Sequence, residues 1–268
     1  MNWQLVAQSM LVRGRDSVRA LRARRSGYPI EGPLPAVLLA GAQRCGTTSL
    51  AAWLDSHHIA HIGANKEVHF FDRHHARGLQ WYRSQFNKTP SLDSTPAYLH
   101  VPEAAERMAQ VLPTSTRIVV VLRDPVERAM SHYSYQRRRR VEWRSFEQAL
   151  DDERRGPDVP AKLRAPIRRH FRYIANGCYG SQLQRLHAVL PDNLIHVSDF
   201  HRLFADDDTE LRTLKKFLGV ENRETDPLPH LNHAMRLDVA MPGWARDVLE
   251  ADNEKLPALT QRTLSWMG

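Results

Sequence analysis

Short apolar runs alternate with segments of helical periodicity along the chain. PAVLLAG over 35–41 is continuous, apolar and of strand length, the pattern of a strand buried on both faces of a parallel sheet. A turn follows it, and then a helix from Thr47 to Ser56. IAHIG (59–63) reads as a second strand, with helical character returning at 76–86 and 102–111. RIVVVL (117–122) is β-branched and uncharged after its first residue, a third strand. It runs into DPVERAMSHYSYQRRRR (124–140), a helix whose proline sits near the start, where a missing N–H costs nothing. The stretch 151–172 is polar, basic and broken by prolines, and reads as a loop or lid. YGSQLQRLHAVL (179–190) is a helix, NLIHVSDF (193–200) a strand, and DTELRTLKKFLGV (208–220) a helix that stops at Gly219. Strands alternating with helices predict an α/β fold with a central parallel sheet flanked by helices.

The first 26 residues carry apolar positions Trp3, Val6, Met10, Val18 and Leu21 at helical spacing, interrupted by Gly14. GYPIEGPLP (27–35) then reads as a linker. The expected organisation is a basic helical leader over 1–30 and a single domain over 31–268.

Composition is that of a globular protein: 268 residues, 42% hydrophobic and 25% charged. Two cysteines, Cys45 and Cys178, do not make a disulfide framework and point to a reducing compartment. No stretch approaches the ~20 apolar residues of a membrane-spanning helix, and the N-terminus lacks the order of a secretory signal. The expected location is cytoplasmic. The net charge of +8 is concentrated: residues 1–30 hold six Arg against one acid, and 117–172 hold fifteen Lys and Arg against eight acids. Such an excess fits nucleic acid, an anionic membrane surface or a polyanionic small molecule, and composition does not choose among them. For the leader, packing on the main domain and contact with a membrane surface both stay open.

Chemistry enters with the turn after the first strand. Gly41-Ala-Gln-Arg-Cys-Gly46-Thr47-Thr48-Ser49 has the spacing of a phosphate-binding loop, in which backbone N–H groups and a helix N-terminus surround an anion. Thr47 stands where a nucleoside-triphosphate enzyme has lysine, so Arg44 is the one cation in the loop. A single phosphate-level group is better served than a triphosphate with magnesium. The same residues also fit an ordinary strand–turn–helix corner with hydroxyl caps.

K-E-V-H-F-F-D (66–72) offers Glu67, His69 and Asp72. In an extended segment Glu67 and His69 point the same way. A carboxylate beside a phosphate loop is a candidate general base, although a surface acid next to two core phenylalanines has the same letters. In R-D-P-V-E-R-A-M-S-H-Y (123–133), Arg123 falls at the carboxyl end of a strand, where open α/β sheets bind ligands. Ser131 lies in the following helix, and the two make a second candidate phosphate site. A helix-start ion pair of Arg123 with Asp124 or Glu127 is the alternative. The histidine pairs 57/58 and 74/75 lack metal-ligand spacing, and His230 with His233 lacks a third ligand in the sequence, so no metal is expected.

Together with W-Y-R-S-Q-F (81–86), D-S-T-P-A-Y (93–98) and G-C-Y-G-S-Q-L (177–183), these motifs resemble the sulfotransferases that use 3′-phosphoadenosine 5′-phosphosulfate (PAPS). The likeness is greatest to heparan sulfate 3-O-sulfotransferases and the related N-sulfotransferase domains. It implies a P-loop-like sulfotransferase fold in which Arg44, Cys45, Gly46, Thr47, Thr48 and Ser49 hold the 5′-phosphosulfate, and Arg123 and Ser131 hold the 3′-phosphate. It further implies that Glu67 takes the proton of an acceptor hydroxyl, with Arg44 and His69 in the catalytic group. His69, Asp72 and Ser94 would shape the acceptor site. The acceptor would be a carbohydrate, glycolipid or glycosylated metabolite. Nucleic acid is not expected as a partner, and the basic leader is a possible membrane-surface contact. A P-loop kinase-like nucleotide enzyme and a PAPS-binding but inactive homologue are the rival readings.

Three departures stand out. Arg44 replaces a frequent lysine, and arginine gives bidentate contact to phosphate but releases no proton near neutrality. Asp93-Ser94 replaces a Glu-Lys pair, which removes a lysine that would meet an acidic glycan. The late Lys-Gly-Arg loop of the glycan enzymes is missing. PLPHLNHAMR (227–236), with Asn232 and Arg236, is the candidate to cover the adenosine.

Overall fold

The computed structural model describes residues 32–156, 170–229, 231 and 239–267. The basic leader, Asn232 and Arg236 lie outside them. The described residues form two compact units. One takes 32–123, 179–229, 231 and 254–267, and the other takes 124–156, 170–178 and 239–253.

The first unit is built on five strands: β1 Val37–Gly41, β2 His61–Ile62, β3 Ser91–Ser94, β4 Arg117–Leu122 and β5 Ile195–Asp199. All pair in parallel, in the order β2-β3-β1-β4-β5. The order reverses at β1, so a crevice forms at its carboxyl end. Leu38, Leu39 and Val119 to Leu122 are fully buried, as the continuous apolar runs require. Helix α1 (Thr47–Ser56) packs on β1 and β3. The short helix α2 (Gly78–Arg83) precedes β3, and α3 (Pro102–Val111) precedes β4. The sequence pattern did not show β3. Ser-Leu-Asp-Ser has no apolar run, and Ser91 and Asp93 are buried with their side chains hydrogen-bonded.

At the end of β1 the register against β4 slips, with Leu39 opposite Val119 but Gly41 opposite Val120. This extra residue is a bulge, which bends a strand and re-aims the chain that leaves it. A side chain at Gly41 would lie 2.5 Å from Leu99.

The second unit is helical: α4 (Pro125–Arg138), α5 (Phe146–Arg155) and α9 (Gly243–Asn253), numbered in chain order after the sheet unit's α6 (Tyr179–His187), α7 (Phe200–Leu203) and α8 (Thr209–Phe217). Asp124 caps α4, accepting from the N–H groups of Val126 and Glu127 at 2.7 and 3.0 Å. The expected loop at 151–172 is corrected over its first five residues, which end α5. That helix starts in a full capping box, Ser145 with Gln148, and buries Phe146, Ala149 and Leu150. Residues 157–169 lie outside the description.

Candidate active site

The loop after β1 reaches α1 through two left-handed residues, Arg44 at φ 72° and Gly46 at φ 79°. For arginine this conformation is costly, and such strain concentrates at functional positions. Gly46 answers a double demand. A Cβ there would adopt a disfavoured φ and stand 2.6 Å from the Phe204 ring. No side chain caps α1. The hydroxyls at its start are engaged elsewhere: Thr48 Oγ1 accepts from Lys66 Nζ at 2.8 Å, and Ser49 Oγ accepts from the Leu231 N–H at 3.1 Å. Thr47 is buried. Cys45 turns its thiol inward, 3.7 Å from the Tyr179 hydroxyl, so only its backbone can meet a ligand. Tyr179 in turn donates to the Arg123 carbonyl at 3.1 Å, which joins the loop to the end of β4. Both cysteines are free thiols.

His69 is left-handed, at φ 57°, and starts a π-helical turn over Phe70–His74, which brings Asp72 back to it. His69 Nε2 lies 3.1 Å from Glu67 Oε2, and its Nδ1 lies 3.0 Å from Asp72 Oδ2. Arg73 Nε is 3.2 Å from the same Asp72 oxygen. Burial alone would raise both carboxyls, but the hydrogen bond and charge of His69 outweigh it and hold each at about 2. Burial disfavours charge on His69, yet its two carboxylate partners raise its pKa. The two carboxylates thus favour the charged form of the imidazole between them, with Glu67 about a third exposed and Asp72 enclosed.

What holds this segment is the D-S-T-P-A-Y motif, a role the sequence did not disclose. Asp93 is fully buried at the end of β3. Its Oδ1 accepts from Thr95 at 2.5 Å, and its Oδ2 from Tyr82 and Tyr98 at 2.9 and 2.8 Å. Thr95 Oγ1 then accepts from the N–H groups of Val68 and His69, and the Tyr98 hydroxyl from that of Phe70. Three consecutive amides next to Glu67 are therefore fixed by hydroxyls that a single carboxyl group orients. Burial pushes Asp93 up to about 6, with the three hydroxyl donors pulling the other way. Ser94 is fully buried beside Leu39, and its hydroxyl makes no hydrogen bond among the described residues.

Arg123 stacks its guanidinium 4.7 Å from the centre of the Phe200 ring. Ser131 is buried in the second turn of α4 and belongs to the helical unit. From the far end of α1, the stretch 223–231 returns along that helix. Arg223 donates to the carbonyls of His57 and His58, Asp226 N to His57 Nε2, Trp53 Nε1 to the Asp226 carbonyl at 2.8 Å, and Leu231 N to Ser49. Among the described residues no cluster of three or more His, Cys, Asp or Glu is placed to hold a metal, and no helix is long and apolar enough to cross a membrane.

The sulfotransferase domain family matches residues 34–235. The chain belongs to this family. The sulfotransferase domain is 31% identical over 198 residues to mouse heparan sulfate glucosamine 3-O-sulfotransferase 3B1, covering 72% of this chain and 48% of that one. It is 32% identical over 219 residues to human bifunctional heparan sulfate N-deacetylase/N-sulfotransferase 3, covering 76% and 24%. A crystal structure of a sulfotransferase from Alicyclobacillus acidocaldarius superposes with TM-score 0.69 and 26% identity, over 88% of this chain and 99% of that one. The chain thus spans about half the length of the curated 3-O-sulfotransferase it matches. The expected P-loop-like α/β architecture is the one observed.

Proposed function

We propose that the protein transfers a sulfuryl group from PAPS to a hydroxyl of a carbohydrate-type acceptor, with residues 31–268 acting as one catalytic domain. The observation that carries this reading is the tie between loop and base. Lys66 connects Thr48, on the phosphate loop's helix, to the Glu67–His69–Asp72 group. An anion held by the loop would therefore sit next to a carboxylate. The uncapped start of α1, Arg44 and the loop amides would hold the 5′-phosphosulfate, and Arg123 with Ser131 the 3′-phosphate.

In the proposed reaction an acceptor hydroxyl attacks sulfur opposite the bridging oxygen. The new O–S bond forms as the bridging S–O bond breaks, and its electron pair leaves with adenosine 3′,5′-bisphosphate. Glu67 receives the hydroxyl proton, and Arg44 stabilises charge on the departing phosphate. His69 orients the Glu67 carboxylate and is itself oriented by Asp72. The heparan sulfate specificities in the names of the two relatives support a sugar acceptor. The exchange at Asp93-Ser94 favours one less acidic than heparan, because the position that would greet a glycan sulfate faces the interior.

The test is transfer of 35S from labelled PAPS into a carbohydrate fraction of cell extract, with the product identified by mass spectrometry. Sulfated product that requires Glu67 supports the reading. Magnesium-dependent ATP turnover without bisphosphate affinity overturns it.

A further inference from the structure

The pair that relatives use near the acceptor is altered here, and Ser94 brings no cation to it. The described structure places a different one at the junction of loop and base. Lys66 Nζ lies 2.8 Å from Thr48 Oγ1 and 3.7 Å from Glu67 Oε1, with its side chain 31% exposed. Thr48 sits on the segment that would hold the donor's 5′ end, and Glu67 is the group that would receive the acceptor's proton. The transferred group must pass between them. An ammonium at this junction suits a sulfuryl group whose oxygens carry the negative charge in flight.

We propose that Lys66 is the sulfuryl-facing cation of this enzyme, donating to a sulfuryl oxygen of bound PAPS. This rests on the sulfotransferase reading. It adds a catalytic residue that acts on the moving group rather than on either phosphate. In ordinary terms Lys66 neutralises the sulfuryl oxygens while the S–O bond to the leaving phosphate lengthens and the bond to the acceptor oxygen forms. Glu67 still takes the proton.

The two ligands of the donor site differ in the one group at issue. PAPS carries the sulfuryl group and adenosine 3′,5′-bisphosphate does not. Calorimetric titration of the full chain with each, for wild type, Lys66→Ala and Lys66→Arg, therefore isolates the contact without needing an acceptor. Loss of a charged hydrogen bond in Lys66→Ala is expected to weaken PAPS by about 10- to 100-fold, with the bisphosphate changed by less than about threefold and the arginine variant close to wild type. The half-exposed stem makes misfolding easy to detect, since bisphosphate affinity and melting temperature would fall together. Equal weakening of both ligands, or no weakening of PAPS, overturns the assignment while leaving the sulfotransferase reading in place. Wild-type protein that binds neither ligand overturns both.

Discussion

The two units bury charge differently. The sheet unit sets Glu67, His69 and Asp72 together and elsewhere buries separate carboxyl groups, Asp93 among hydroxyls, Asp199 against Ser265 and Glu210 against Arg262. The helical unit builds charge into its middle. Arg144 grips Glu142 with two parallel bonds, Nε to Oε1 at 2.9 Å and Nη2 to Oε2 at 2.7 Å, and reaches Asp152 at 3.0 Å. Tyr173 adds its hydroxyl to Glu142 at 2.7 Å. Glu153 accepts from three successive amides, Tyr173, Ile174 and Ala175, and Arg128 donates to the Tyr173 carbonyl. Paired, hydrogen-bonded charges of this kind add little net stability over an apolar core, but losing one partner is severe. In the sheet unit, the buried charges are satisfied at separate places. In the helical unit, they serve to fix the 170–178 turn against α4 and α5.

The comparison breaks most sharply with paired substitutions. Glu67→Gln should lower transfer by about 10²- to 10⁴-fold, with bisphosphate affinity and the urea midpoint unchanged; an unfolding defect would show that crevice charges also support the fold. Arg144→Ala, which strands Glu142, should cost about 3–5 kcal/mol in urea unfolding, whereas Arg144→Met with Glu142→Leu should recover most of it. If the double change is as damaging as the single one, the network has a role beyond mutual satisfaction. Gly46→Ala should weaken bisphosphate binding and destabilise by about 1–2 kcal/mol from the left-handed backbone alone, more once Phe204 has to move.

Smaller effects sharpen the picture. His69→Asn removes the main influence that holds Glu67 at about 2, so the acid limb of the pH–rate profile should move upward by about one unit or more. An unmoved limb would mean that another group sets it. The gentlest test is Asp93. Its pKa rises from 3.8 to about 6 on folding, so the protonated form is favoured in the fold. That contribution is fully present below pH 3.8 and is lost as pH rises through about 6. Stability measured in urea should therefore slope downward across this window in wild type, and the slope should be absent in Asp93→Asn.

Legibility in the sequence followed these same lines. β1, β4, α1 and α3 were readable because continuous apolar runs and plain amphipathic periods suffice where an element is buried by its own side chains. β3 was not, because Leu92 is its lone apolar residue and Asp93 is buried only thanks to Thr95, Tyr82 and Tyr98, each distant in pattern if not in sequence. The first five residues of the 151–172 loop were misread because a charged helix end resembles a solvated segment; the Ser145–Gln148 capping box was the available signal. At the site, Glu67 and His69 meet as the spacing suggested, while the approach of Asp72 depends on the left-handed turn at His69, which the letters do not announce. Lys66 stood in plain view as the first letter of its motif and was passed over, because its partner lies 18 residues earlier.

The return stretch along α1 has one more consequence. Its contacts fall on Ser49, Trp53 and His57, spaced four apart, which is one stripe of the helix. One row of side chains on α1 therefore anchors both Asp226 and Leu231, so a chimera with another member of the family is best attempted with α1 and these anchored residues moved as one cassette.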